Sequence, residues 1–245
     1  MRLPTIFDSL KVFKRYYPER IATVIDGGVQ VGTDFLMSEF KEAKHFLFEP
    51  VLQYHNSIRE NYKRAGISYE LLDYAVSNES GKMYLHLISG DHSGKITHSQ
   101  LLPERSPQKF GEKLIDIVEI RVITLDELAR ETYLEKPYIV KIDVDGIEEK
   151  IIERGQNVLR NASLVITEDG LSNPVTRAKM IENIGFRLFD ICNRCYYFDQ
   201  LSQVDHVLIN QEIVKNCIEF RPWEKTGYKV IWDKWDRLTK RPQST

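Results

Sequence analysis

Tyr138-Ile-Val-Lys-Ile-Asp-Val-Asp-Gly-Ile-Glu148 is the stretch on which the fold turns. Tyr138 to Ile142 is a short apolar run bounded by Pro137 and by acids, the pattern of a buried strand. Carboxylates follow at Asp143 and Asp145, Gly146 lets the chain turn, and Ile147, Ile151 and Ile152 repeat at helical spacing. In an open α/β sheet, ligands sit at the carboxyl ends of the strands. Asp143, Asp145 and Glu148 therefore fall where chemistry is done, and Lys141 shares the face of Asp143 by the strand's period of two.

Working outward, strands and helices alternate on both sides. Phe7 to Tyr17 reads as an amphipathic helix ended by Pro18, Ile21 to Ile25 as a strand, Thr33 to Phe40 as a helix and Lys44 to Phe48 as a strand. A helix over Val51 to Arg64, strands over Tyr69 to Val76 and Met83 to Ile88, a strand over Val118 to Ile123 and a helix over Leu125 to Arg130 follow. Beyond the central stretch come a strand at Leu164 to Thr167, a helix at Pro174 to Ile184, and late strands at Phe186 to Ile191, Tyr196 to Phe198 and His206 to Ile209. This order predicts an α/β fold, a mostly parallel sheet with helices on both faces and a late antiparallel hairpin. Ser89 to Gly111, rich in Gly, Ser, His and Pro, has no sustained period and reads as one long loop of the kind that carries function.

Composition narrows the class. The 245 residues carry 34 basic and 36 acidic side chains, a formal charge of −2, which suits one α/β domain and gives no basic field for nucleic acid. Apolar runs are strand-sized, so no membrane insertion is expected. Met1 to Glu19 lacks the apolar centre of a signal peptide. Three cysteines argue for a reducing, cytoplasmic setting. Cys192-Asn-Arg-Cys195 has no second Cys or His pair to complete a zinc site.

Asp26-Gly27-Gly28-Val29-Gln30-Val31-Gly32 follows the first strand and is the candidate cofactor loop, since glycines and a helix N-terminus admit a ligand close to the backbone. Glu49, 23 residues after Asp26, ends the next strand and is placed to accept the hydroxyls of a ribose. The pattern points to a nucleoside-containing cofactor, either a dinucleotide or S-adenosylmethionine. The glycines lack G-x-G-x-x-G spacing, and Asp26 would repel a pyrophosphate but attract the ammonium of a methionine moiety. A nicotinamide-dependent oxidoreductase and a non-catalytic nucleoside- or glycan-binding module are the alternatives.

Several motifs in order then resemble one family. Val24-Ile-Asp-Gly-Gly-Val-Gln-Val-Gly32, Leu47-Phe-Glu-Pro50, Ala75-Val-Ser-Asn-Glu-Ser-Gly81, Thr124-Leu-Asp126, Lys141-Ile-Asp-Val-Asp-Gly-Ile-Glu148 and Val165-Ile-Thr-Glu168 are similar to the signature segments of the FkbM methyltransferases. Gln30 and Asp145 depart from that pattern, where the family has Asn and Glu. The resemblance implies a class I Rossmann-like fold with a seven-stranded sheet and S-adenosylmethionine as cofactor. It implies O-methylation of a hydroxyl on a sugar, glycoconjugate precursor or natural product. Asp26, Gly27, Gly28, Gln30 and Gly32 would then surround the methionine end, Glu49 and Pro50 the ribose, and Asp73, Tyr74 and Ala75 the adenine.

By the same topology Asp143 would lie near the transferred methyl, as a base or, with Asp145 and Glu168, as a Mg²⁺ ligand. Asp145-Gly-Ile-Glu148 also has the spacing of a capping box. His92, Ser93, His98, Ser99 and Glu168 are the expected acceptor contacts. Residues 1–20 are expected to form a helix packed on a methyltransferase domain of residues 21–210. Residues 211–245 form a basic tail bearing Trp223, Trp232 and Trp235, expected to pack on that domain or to join a second copy in a homo-oligomer.

Overall fold

The structure is a computed structural model and describes residues 5–90, 94–170 and 175–226. In chain order its elements are α1 (Ile6–Tyr16), β1 (Thr23–Gly27), α2 (Asp34–Glu39), β2 (Lys44–Phe48), α3 (His55–Ala65), β3 (Tyr69–Leu72), β4 (Ala75–Val76), β5 (Gly81–Ile88), β6 (His98–Leu102) and β7 (Leu114–Ile123). There follow α4 (Leu125–Glu131), β8 (Tyr138–Ile142), α5 (Glu148–Arg154), α6 (Gln156–Asn161), β9 (Leu164–Gly170), α7 (Thr176–Asn183), β10 (Phe186–Tyr197), β11 (Gln200–Asn210), α8 (Gln211–Asn216) and α9 (Pro222–Thr226).

Seven strands form one sheet in the order β10-β11-β9-β8-β1-β2-β3. β1, β2, β3, β8 and β9 run parallel, while the β10–β11 hairpin adds antiparallel to β9. The mostly parallel sheet with its late hairpin is as expected. Every residue of β8 is buried, because helices cover both of its faces. On one face α4, α5, α6 and α7 contribute Leu125, Ile151, Leu159 and Ile181 to a core around Ile25, Val140 and Val165. On the other, α1, α2 and α8 contribute Leu10, Phe13, Leu36 and Val214 to a core around Val24, Ile139 and Ile166. The α1 helix is capped by Thr5, whose hydroxyl accepts the Asp8 N–H, and its Ile6, Leu10 and Phe13 are almost fully buried. At about 1.5–3 kcal/mol for each such side chain, that burial anchors the helix.

A second, four-stranded sheet of order β4-β7-β5-β6 was not foreseen. Tyr69 to Val76, expected as a single strand, breaks at Asp73 and Tyr74. Ala75 and Val76 leave the main sheet to pair with Val122 and Ile123. Ser89 to Gly111 is not one loop, since His98–Leu102 pairs with Tyr84–Ile88 as an edge strand. With a single neighbour and one buried residue, Leu101, this strand needs no apolar run, and its His-Ser-Gln start hides it. α6, which follows Gly155, also went unread. Its first N–H groups are met by Asp126, which accepts from Val158 and Asn157.

Candidate functional site

The order of the main sheet reverses between β1, which continues through β2, and β8, which continues through β9. Chains leave these two strands in opposite directions, and a crevice opens beyond their carboxyl ends. A cavity of about 450 Å³ occupies it, within the ~300–1,000 Å³ range of small-molecule sites. Its walls come from the Gly28–Thr33 loop, the Glu49–Val51 segment, Ala75 and Val76, Ile96 to Ser99 of the second sheet, and Lys141 to Asp145.

Gly28 shows why the loop must be glycine-rich. Its φ is +87°, and a Cβ there would lie 1.7 Å from the Asp143 carbonyl oxygen. The loop and the end of β8 are thus packed backbone against backbone, with the Asp143 N–H donating to Gly27 O at 3.1 Å. Gln30 also has a left-handed φ, +52°, which turns its N–H toward Glu49.

Glu49 is 3% exposed. One carboxylate oxygen accepts the Gln30 N–H at 2.7 Å and the other the Val51 N–H at 2.9 Å. Burial pushes this carboxyl up to about 7, although the two N–H bonds oppose the shift. His55 Nε2 lies 2.7 Å from the Glu49 carbonyl and fixes the backbone beneath. Each oxygen keeps capacity for a second donor. The arrangement suits a pair of neighbouring hydroxyls.

Lys141, 7% exposed, is a hub. Its ammonium stands 3.4 Å from Asp26 and 3.1 Å from Asp143 and donates to Gly28 O at 2.8 Å. Burial pulls its pKa down, but Asp26 and Asp143 outweigh that and leave it raised. Asp26 is fully buried and does not line the cavity. Burial pushes it up against the pull of Lys141. Asp26, expected at the methionine end of a cofactor, stands behind the wall with Lys141 3.4 Å away. Gly27 likewise lies in β1, behind the wall.

The remaining expected residues divide. Gly32, Pro50, Ala75, Asp143, Asp145, His98 and Ser99 line the cavity. Asp73 and Tyr74 do not, because the chain breaks there to leave the sheet; Tyr74 instead packs edge-on against Phe48 and lies under Arg121. His92 and Ser93 lie outside the described residues, as do Trp232 and Trp235. The Asp145 carboxylate meets the Ser99 N–H at 3.5 Å, linking β6 to the turn, and burial raises its pKa.

Glu148 lies outside the cavity wall. The capping box also falls short: Asp145 has φ +59° and Gly146 +109°, so the chain turns first and Ile147 becomes the N-cap. Glu148 instead begins α5 and reaches back to the N–H groups of Val144 and Gly146.

The Mg²⁺ reading does not fit the donors. Among the described residues no three His, Cys, Asp or Glu side chains gather to hold a metal. Asp143 is committed to Lys141, Asp145 to the Ser99 amide, and Glu168 accepts from Gln203. Glu168 is half-buried at the end of β9, and burial, then Asp143 and Asp205, push it up to about 7.

Sequence reasoning missed Thr33, Tyr54, Thr97, Phe7 and Phe35, all in the wall. Tyr54 follows Glu49-Pro50 closely, and its hydroxyl donates to Ile96 O at 2.9 Å, tying the segment after Glu49 to the second sheet. Phe7 reaches the cavity only through the docking of α1, where its ring meets Phe35 edge to face. No local signal could have shown that.

A family model described as a Methyltransferase FkbM domain matches residues 26–192. The hexuronic acid methyltransferase AglP of Haloferax volcanii is 29% identical over 147 residues, 58% of this chain and 54% of that protein. The chain thus spans about half the length of the curated relative it matches. Among solved structures, an rRNA methylase from Streptococcus thermophilus is similar over 86% of this chain and 98% of its own at 11% identity, with a TM-score of 0.47. A precorrin-6y C5,15-methyltransferase from Geobacter metallireducens is similar over 82% and 84% at 9% identity, with a TM-score of 0.43.

Proposed function

We propose a function for a chain that belongs to the FkbM methyltransferase family: transfer of a methyl group from S-adenosylmethionine to the oxygen of a hydroxyl, on a sugar, glycoconjugate precursor or natural product. The observation that carries the reading is the buried Glu49 carboxylate, held open toward the cavity by the Gln30 and Val51 amides. A carboxylate so costly to bury has a use if ribose hydroxyls complete its shell. The loop of Gly28 to Gly32 would take the methionine end, and the apolar wall of Ala75, Leu85 and Leu101 would take the adenine.

The bound cofactor supplies an activated methyl on a positively charged sulfur, so the driving force is its own. The protein's part is alignment and proton removal. Asp143, at the junction of the loop and β8 and 38% exposed, would accept a hydrogen bond from the acceptor hydroxyl and set its lone pair toward the methyl. Lys141, 3.1 Å away, would hold the Asp143 carboxylate in place for that task. The hydroxyl proton would pass to a carboxylate of this edge as the methyl exchanges its bond to sulfur for one to the acceptor oxygen, which would leave a neutral thioether. Asp145, Ser99 and His98 would line the acceptor's approach, with Glu168 beside Asp143 on the next strand.

The hexuronic acid relative supports a saccharide acceptor, and a count of three cysteines fits a cytoplasmic setting. Incubation with methyl-labelled S-adenosylmethionine and a panel of neutral hexosides, hexuronides and small phenols tests the acceptor. Label is expected in an alkali-stable ether on a hexoside or hexuronide. Label confined to phenols, or on nitrogen, would overturn the sugar assignment.

A further inference from the structure

Four ionisable side chains that the proposed reaction does not use gather behind the site, three of them buried and Arg177 partly so. Glu148 is 2% exposed, Asp169 2% and His206 1%, and Arg177 joins them. They form one chain of contacts. The His206 imidazole lies 3.2 Å from Asp169, and Asp169 lies 3.6 Å from the Arg177 Nε and accepts the Arg177 N–H at 3.2 Å. Arg177 reaches Glu148 at 2.8 Å. Buried ion pairs are seldom more stabilising than apolar packing of the same volume, so stability alone does not account for this chain.

Its far end does. The two Glu148 oxygens accept the N–H of Val144 at 3.2 Å and that of Gly146 at 3.1 Å. Between those amides sits Asp145 in a left-handed conformation, φ +59°, which a non-glycine residue keeps only where its surroundings enforce it. The same turn carries Asp143, whose carbonyl presses on Gly28, and Asp145, which meets Ser99.

We infer that Glu148 and Arg177 are positioning residues, which hold the Asp143–Gly146 turn in the shape that the cavity needs. Arg177, on α7, fixes the carboxylate of Glu148 on α5, and Glu148 fixes the turn. Asp169 orients the guanidinium from β9. The brace is a property of the fold; its effect on ligand binding rests on the methyltransferase reading of the cavity.

The test has two arms. Amide hydrogen exchange on the free protein compares wild type with Arg177→Met and Arg177→Lys. The brace predicts about tenfold faster exchange at Val144 and Gly146 in Arg177→Met, no change at Val140 in the middle of β8, and recovery in Arg177→Lys. Unchanged exchange at the two turn amides, or equal acceleration at Val140, would overturn it. Glu148→Gln serves as the second variant should Arg177→Met fail to fold, with the same expected pattern.

The second arm titrates S-adenosylhomocysteine into Arg177→Met, Asp145→Ala and the double variant. Each single change is expected to weaken binding about tenfold, and the double variant no more than either alone, since both act through one turn. Multiplying effects would contradict that coupling. Wild-type protein that does not bind S-adenosylhomocysteine counts against the methyltransferase reading, while the exchange arm still decides the brace.

Discussion

Glu49 and Asp143 are both carboxylates at strand ends, yet their surroundings give them different work. Glu49 is nearly fully buried at the cavity wall, and its carboxyl is pushed from an ordinary 4.5 up to about 7. Because the folded value is raised, its contribution to stability is full below pH 4.5 and is lost as pH rises through 7. A shift of that size corresponds to about 3 kcal/mol. The free protein should therefore melt at lower temperature at pH 8 than at pH 5, with a shallower decline in Glu49→Ala.

Ligand binding should run the other way. Ribose hydroxyls donate to the ionised form, so affinity for S-adenosylhomocysteine should rise several-fold between pH 6 and pH 8, measured calorimetrically. A flat profile would remove Glu49 from the site. Asp143, partly exposed and paired with Lys141, should affect turnover instead. Asp143→Asn should bind S-adenosylhomocysteine within about threefold of wild type but transfer methyl at least tenfold more slowly, and normal turnover would exclude it from the reaction.

At the scale of elements, the cavity depends on two backbones meeting. In Gly28→Ala the new methyl would fall on the Asp143 carbonyl at a position with φ +87°. A left-handed alanine costs about 1–2 kcal/mol, and relieving the overlap about 1–3 more. Thermal denaturation should show a loss of roughly 2–5 kcal/mol, with cofactor binding lost as well; an undisturbed variant would mean that the loop and β8 are not held together.

Elements also show what a sequence can reveal. β2 and β8 were read to the residue because each is a short run with an apolar centre, buried but for Lys44, with turn residues beyond. β6 escaped because an edge strand needs no such run, and the end of Tyr69 to Val76 was misassigned because an apolar pair does not declare which sheet it will join. Within the site, Gly28, Gln30 and Glu49 were legible since loop glycines and a strand-end acid are local patterns. The brace was not: Arg177 finds Glu148 only once α5 and α7 pack on one face, and the left-handed Asp145 moved the helix start away from the capping register. Phe7 shows the same limit, reaching the cavity from a helix far away in sequence.

For the whole molecule, the switch point between β1 and β8 sets the cavity, α1 and the second sheet complete its walls, and the helices bury the charges behind it. Among the described residues no helix is long and apolar enough to cross a membrane. The donors at the acid edge are committed to protein partners, so methyl transfer should proceed unchanged in EDTA; a loss restored by Mg²⁺ would reinstate Asp143, Asp145 and Glu168 as ligands. The most direct measurement is a calorimetric titration of the purified protein with S-adenosylhomocysteine and, separately, with NAD. The account predicts one molecule of S-adenosylhomocysteine per chain, bound about 1.5–3 kcal/mol more weakly by Glu49→Ala, on the scale of hydrogen bonds to a charged group. Binding of NAD with no binding of S-adenosylhomocysteine would contradict it.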